Sequence, residues 1–234
     1  MSTVWLLGHH PVEAALKAQK RELKQLWVTK QNEQKYKKLA QQAGVRMQTV
    51  DRKKLDNISN QPHQGVALEA GNLPQVHVKD LYDTNLLLAL DQVTDPHNVG
   101  ACLRSANAFG CGGVLVPSAH SPKDSPIIAK AAAGAMEDTP LVTVGNLAQA
   151  LENLKQEGFW VVGLDGHTEQ KLADIDLGGK IVLVMGSEGE GLRDLVKKKC
   201  DFIAKLPMTG SVESLNVSVA SGIALYEASR QSSN

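Results

Sequence analysis

Ile181-Val-Leu-Val-Met-Gly-Ser-Glu-Gly-Glu-Gly-Leu192 is an unbroken apolar run that gives way to three glycines and two acids. A run without polar alternation is what a strand buried on both faces requires. Glycines at 186, 189 and 191 let backbone approach a ligand and accept positive φ. Their spacing, G-x-x-G-x-G, is not the dinucleotide pattern G-x-G-x-x-G, and no Lys-Ser/Thr follows as in a P-loop. Glu188 and Glu190 would repel a triphosphate and suit a ligand that carries positive charge.

Working outward, similar apolar runs recur at Leu86–Leu90, Val114–Val116, Leu141–Val144 and Trp160–Leu164. Helical spacing is predicted between them, over Asn98–Phe109, Pro126–Met136, Leu147–Glu157 and Gly191–Lys199. This alternation predicts an α/β fold with a parallel sheet flanked by helices. Ligands bind such sheets at the C-terminal ends of the strands, so the polar residues that follow the strands carry the information.

Two further clusters occupy such positions. In Asp91-Gln-Val-Thr-Asp-Pro-His-Asn-Val-Gly-Ala-Cys-Leu-Arg-Ser-Ala106, Asp95-Pro96 and Asn98 mark a turn and a helix start. Val99, Cys102, Leu103 and Ala106 form the buried face. Arg104 stands one turn beyond Gly100, where the missing side chain leaves room for a phosphate or sugar. In Leu206-Pro-Met-Thr-Gly-Ser-Val-Glu-Ser-Leu-Asn-Val-Ser-Val-Ala220, Pro207 stops the apolar run Phe202–Leu206. Ser214 is the expected N-cap of a helix that reaches about Arg230. Leu215, Val219, Ile223 and Tyr226 form one apolar stripe, and Val217, Ala220, Ala224 and Ala228 a second. A helix so apolar is expected to be buried on both sides. Its loop, with Ser211, Glu213, Ser214 and Asn216, would then be held rigidly, as a ligand site demands.

The N-terminal third has its own organisation. Val4–Leu7, Leu23–Thr29, Val45–Val50 and Gln64–Glu69 read as strands with helical segments between them, a small α/β layer. The expected division is residues 1–70, a Gly/Pro-containing linker at 71–82, and a larger unit at 83–234. Residues 1–80 hold 13 Lys/Arg against 7 Asp/Glu, and the remainder holds 12 against 18. The net charge of zero therefore hides a basic front that suits a polyanion. Lys35, Lys37, Lys38, Arg52, Lys53 and Lys54 are candidates for phosphate contact. His63, in the loop before Gln64 and Gly65, reads as structural. Cys102, Cys111 and Cys200 have neither C-x-x-C nor metal-ligand spacing. An odd cysteine count, a start without a charged leader and no long apolar span predict a cytoplasmic protein.

Three stretches together carry a resemblance. Asn98-x-Gly100-x-x-x-Arg104-x-Ala106, Met185-Gly-Ser-Glu-Gly-Glu-Gly-Leu192, and Leu206-Pro-Met-x-Gly210 with Ser214-Leu-Asn-Val-Ser218 resemble, in order, the motifs of the SpoU (TrmH-type) RNA ribose 2'-O-methyltransferases. The front unit resembles the small RNA-binding domain, similar to ribosomal protein L30e, that some members carry. Asp95-Pro-His-Asn98, Pro62-His-Gln-Gly65 and Gly210-Ser-Val-Glu-Ser-Leu-Asn-Val-Ser218 point within that family to enzymes acting on 23S rRNA. The resemblance implies methyl transfer from S-adenosylmethionine to the ribose 2'-hydroxyl of a guanosine in the peptidyl-transferase P loop. It implies a C-terminal trefoil knot, cofactor contacts near Gly186, Gly191, Leu206 and Leu215, and a homodimer through the C-terminal domain. It assigns Arg104 as activator or phosphate holder, Asn98, Ser214 and Asn216 to arrange the sugar, and Glu188 to an electrostatic role, with no metal. The competing expectations are a methyltransferase acting on tRNA and a non-catalytic RNA-binding protein of ribosome assembly.

Overall fold

The computed structural model describes residues 3–59, 61–119, 126–187, 189 and 191–232. The chain divides into two compact units, one of residues 1–75 with 124–138, the other of 76–123 with 139–234.

The first unit is built on a four-stranded sheet. Its strands β1 (Thr3–Leu7), β2 (Leu23–Val28), β3 (Arg46–Thr49) and β4 (Val66–Gly71) lie in the order β1-β4-β2-β3. β4 runs antiparallel to β1 and β2, while β2 and β3 are parallel. Helices α1 (His9–Ala18) and α2 (Glu33–Gln42) bring Val12, Leu16, Tyr36 and Ala40 to a core with Leu6, Leu26, Val28, Val66 and Leu68. Successive strand residues point to opposite faces. Leu7 and Ala67 therefore meet Leu55 of α3 (Arg52–Asp56), beside Trp5 and Trp27.

The segment 124–138 is a correction to the expected layout. The helix expected over Pro126–Met136 stops as α5 (Pro126–Ala131), because Ala133 and Gly134 turn to positive φ, and a 3-10 turn follows at Ala135–Glu137. These residues group with the first unit. Gly134 approaches α1 so closely that a Cβ there would meet the Ala14 Cβ at 2.5 Å. Glu137 forms a buried pair with Arg21 at 2.7 Å. Burial pushes the Glu137 carboxyl up, and Arg21 pulls against it. The expected linker also shortens, since β4 runs to Gly71 and Leu81 is buried in the second unit's core.

The second unit carries a six-stranded sheet, parallel in every pairing. Its strands are β5 (Leu86–Leu90), β6 (Gly113–Pro117), β7 (Leu141–Val144), β8 (Trp160–Leu164), β9 (Ile181–Met185) and β10 (Phe202–Ala204), in the order β10-β8-β9-β5-β6-β7. Leu87, Ala89, Leu115, Val161, Val182 and Val184 form a core with Leu147, Leu151 and Leu154 of α6 (Leu147–Gln156). Helices α4 (Pro96–Ala108) and α8 (Val217–Ser232) pack against each other, with α4 on β5 and β6 and α8 on β9. The helix expected over Gly191–Lys199 is only α7 (Asp194–Lys197). Arg193 before it is extended, which lets Leu192 enter the core. Among the described residues no helix is long and apolar enough to cross a membrane.

Candidate active site

β5 and β9 are neighbours, and each ends at the same edge of the sheet. β9 runs directly into the glycine turn. Ser187 N–H donates to the Gly191 carbonyl at 3.2 Å, and Gly191 N–H returns the bond to Ser187 at 3.1 Å. The turn closes so tightly that a Cβ on Gly186 would lie 2.2 Å from the Gly191 carbonyl carbon. Gly189 and Gly191 have φ of 88° and 68°, where a side chain is strained. Glycine is thus required at 186 for space and at 189 and 191 for conformation. Glu188 and Glu190 lie outside the described residues.

Two acids that sequence reasoning passed over brace this edge. Asp91 follows β5 and is fully buried. It accepts from Arg193 N at 3.0 Å and from Arg193 Nε at 2.8 Å, so it ties the end of β5 to the chain leaving the glycine turn. Asp165 follows β8, pairs with Lys197 at 2.6 Å and accepts from His167 N at 2.9 Å. Burial works against its ionisation, but Lys197 and the His167 N–H hold it below the ordinary carboxylate range. The available signal was an acid directly after the apolar runs Leu86–Leu90 and Trp160–Leu164.

The second half of the edge is made by α4 and α8. Asn216 Nδ2 donates to Asn98 Oδ1 at 3.1 Å. Further along, Cys102 Sγ lies 3.4 Å from Ser221 Oγ. A Cβ on Gly222 would meet Ser105 Oγ at 3.4 Å. Phe109 meets the edge of Tyr226 with ring centroids 5.9 Å apart. Contacts that advance together along both helices mean that the helices run parallel, side by side. Small residues at the seam permit the close approach. Both N-termini therefore open at one place, where the aligned peptide dipoles of two helices favour an anion. Asp95 Oδ1 caps α4 by accepting from His97 N, and Asn216 Oδ1 accepts from Ser218 N at 2.9 Å at the start of α8.

That last bond corrects the expected cap: Asn216, not Ser214, begins the helix. Ser214 is exposed in the preceding loop, as are Ser211 and Glu213. Arg104 is exposed on α4, and Gly100 one turn before it is buried. Leu206 and Leu215 are half-buried on the segment between β10 and α8. The structure thus brings Asn98 to Asn216 and Gly186 to Gly191, and sets α8 against β9. The expectation that α8 is buried all round is also corrected. Val217, Ala224 and Ala228 are buried, but Val219, Ile223 and Tyr226 are 51%, 44% and 54% exposed, and the edge contact with Phe109 covers Tyr226 in part.

Residues 85–226, from the start of β5 into α8, match the SpoU rRNA Methylase family. The chain belongs to that family. Residues 5–76 match a second family model, RNA 2'-O ribose methyltransferase substrate binding. Among curated family members, a 23S rRNA (guanosine-2'-O-)-methyltransferase RlmB from Pseudomonas aeruginosa is 45% identical, over 96% of this chain and 95% of its own. The protein of that name from Coxiella burnetii is 43% identical, over 97% and 95%. The SpoU methyltransferase AviRb from Streptomyces viridochromogenes, solved with AdoMet, has the same fold at a TM-score of 0.84, 24% identity, and coverage of 98% and 90%.

Proposed function

We propose that this protein transfers a methyl group from S-adenosylmethionine to the ribose 2'-hydroxyl of a guanosine in 23S rRNA. The observation that carries the reading is the pair of adjacent helix N-termini, joined by Asn98 and Asn216 beside the glycine turn, in a chain over 40% identical to RlmB proteins along nearly its whole length. The second unit is the methyltransferase, knotted as its family is, and the first binds the RNA substrate.

The glycine turn suits S-adenosylmethionine: it offers close-approaching backbone at Gly186 and Gly191, and half-buried Leu206 and Leu215 offer apolar walls to a neutral adenine. When bound, that molecule supplies the methyl group on a sulfonium that is its own leaving group. The protein's task is to hold the hydroxyl and manage its proton. Asn216 spends its Oδ1 on Ser218 and one Nδ2 bond on Asn98, which leaves Asn98 Nδ2 to donate to the sugar. A guanidinium does not readily give up its proton. Arg104 therefore holds the neighbouring phosphate and stabilises negative charge growing on the 2'-oxygen, helped by the two helix ends. Ser214 completes the sugar contacts, and Glu188 complements the cofactor's positive charge.

The exposed stripe favours a homodimer. Val219, Ile223 and Tyr226 line an open groove of about 500 Å³ with Ala101, Ser105 and Phe109. An apolar patch of this kind on a helix pair that also forms the site is where a second copy would bind. Ile223→Asp should convert a dimer to a monomer in sedimentation velocity.

The test is transfer of labelled methyl to unmodified 23S rRNA and, separately, to tRNA, with the product mapped. A single 2'-O-methylguanosine in 23S rRNA is expected. Methylation of tRNA alone would keep the chemistry and overturn the substrate. Failure to bind S-adenosylmethionine in calorimetry would move the reading to a non-catalytic assembly factor.

A further inference from the structure

A crevice of the first unit lies far along the chain from Asn98, Gly186 and Asn216. It is an open crevice of about 680 Å³ at the C-terminal ends of the parallel strands β2 and β3. That is the position at which parallel sheets take their ligands, and the volume suits one or two nucleotides rather than a single small ion.

Its chemistry is that of a donor. Lys30, Arg52 and Lys54 line it, all exposed, and no ion pair neutralises any of them among the described residues. Lys54 rests over the Trp27 ring at 4.4 Å, which restrains its ammonium without cancelling its charge. Lys35 is different, since Glu13 takes it at 2.8 Å. Two lining glutamines have their carbonyl oxygens occupied inside the protein. Gln48 Oε1 accepts from Gln25 Nε2 at 2.9 Å, and Gln64 Oε1 accepts from the His9 backbone N–H at 3.0 Å. Each therefore has its amide N–H groups left for a ligand. Asp51 is the acid among the lining residues and can accept from a base.

The wall is held in place at a cost in backbone freedom. Gln64 and Gly65 both have positive φ, 53° and 78°. Asn32 Nδ2 donates to the Gln64 carbonyl at 2.9 Å. His63, buried, accepts from Gly65 N at 2.9 Å and bonds Asp56 at 2.8 Å through its other nitrogen. A Cβ on Gly65 would meet Asn32 Nδ2 at 2.6 Å and Thr29 Oγ1 at 2.7 Å. A non-glycine residue kept in this conformation by Asn32 and the His9 N–H marks a wall whose shape matters.

We propose that this crevice receives an unstacked nucleotide of the RNA substrate. Lys30, Arg52 and Lys54 take its phosphates, and the amides of Gln48 and Gln64 donate to the acceptor atoms of its base. Loop nucleotides, not duplex, present both at once, because the bases of a helix are already paired and stacked. The proposal rests on the reading of the chain as an RNA methyltransferase and makes the crevice its substrate-selecting element.

The experiment uses the full chain with unmodified 23S rRNA transcript, and follows methyl transfer and equilibrium RNA binding across a salt series. The double variant Lys30→Ala with Arg52→Ala should raise KM for RNA by about tenfold, leave kcat and S-adenosylmethionine affinity within about twofold, and lower the slope of log K against log salt by about 1.4, two phosphate contacts' worth. Gln48→Ala should raise KM a few-fold with the salt slope unchanged. Lys37→Ala with Lys38→Ala removes the same charge from the exposed face of α2. If that pair weakens binding and lowers the slope as much as the crevice pair does, or if the crevice pair changes neither, the proposal is overturned. Circular dichroism of each variant separates unfolding from lost contact. If the wild type methylates no RNA, the functional reading fails, and the binding series still decides whether RNA enters the crevice.

Discussion

Both units place their polar groups at the C-terminal ends of parallel strands, yet they use opposite kinds of side chain there. In the first, β2 and β3 end in a crevice lined by Lys30, Arg52, Lys54 and long amides. In the second, β5 and β9 end in glycines, two asparagines and one buried carboxylate, Asp91. Long flexible cations gather a polyanion from any angle but cannot fix an atom to a fraction of an ångström. Backbone, short side chains and helix ends can, because they have few rotamers to lose. On the proposed reading, the first unit supplies affinity and the second makes the bond.

That contrast breaks most sharply at Arg104, the long cation that stands on the chemical side. Arg104→Ala should cut methyl transfer by about 10³-fold or more while S-adenosylmethionine affinity by calorimetry stays within about twofold. An equal fall in cofactor binding would remove it from the reacting atoms. Next comes Gly186→Ala, which forces a Cβ against backbone 2.2 Å away. Overpacking against backbone should cost about 2–3 kcal/mol in chemical denaturation and abolish cofactor binding.

Asp91→Asn tests whether the second site needs its buried brace. It leaves the half-exposed Arg193 without its carboxylate, and should cost about 2 kcal/mol of stability, as loss of a hydrogen bond to a charged group does. A variant as stable as the wild type would show that Asp91 serves something other than the turn. The smallest effect lies in the thiols under the same layer. Burial pushes Cys102 up to about 11, with Ser221 pulling the other way, and burial pushes Cys200 up to about 12, with Asp201 adding to it. Because the unfolded thiols ionise near their ordinary 9.0, the native chain holds these protons longer. Stability from this source is complete below that pH and declines as pH rises above it. Native protein should therefore react slowly with a thiol reagent at pH 8, and its melting temperature should fall between pH 9 and pH 10.5 more than that of a variant with both cysteines replaced by alanine.

The period of each segment was legible in the amino-acid order, since burial of a strand or a helix face is a local demand on every second or every third to fourth residue. It located the apolar runs of β5 to β9, the glycine turn and the start of α4, while the roles of Asn98, Arg104 and Asn216 came from the resemblance to the family's motifs. What it misjudged were properties that depend on partners far along the chain. The cap of α8 lies at Asn216 because the Ser218 N–H is within its reach and not that of Ser214. The run Pro126–Met136 breaks and groups with the first unit because Gly134 fits against Ala14 and Glu137 finds Arg21. The stripe of Val219, Ile223 and Tyr226 has the composition of a buried face, yet it stays about half exposed among the described residues.

Composition and periodicity by themselves determined that this protein is two α/β layers, with its polar chemistry after the strands. The tertiary structure alone decided the strand order β10-β8-β9-β5-β6-β7, the parallel seam that puts Asn98 on Asn216, and the Asp91–Arg193 brace. The physical reason is that a strand's own pattern demands burial but is indifferent to which strand lies beside it. Register and order are settled by which distant surfaces fit, and here the fit comes from small groups such as Gly186 and Gly222, whose value appears only when another backbone arrives.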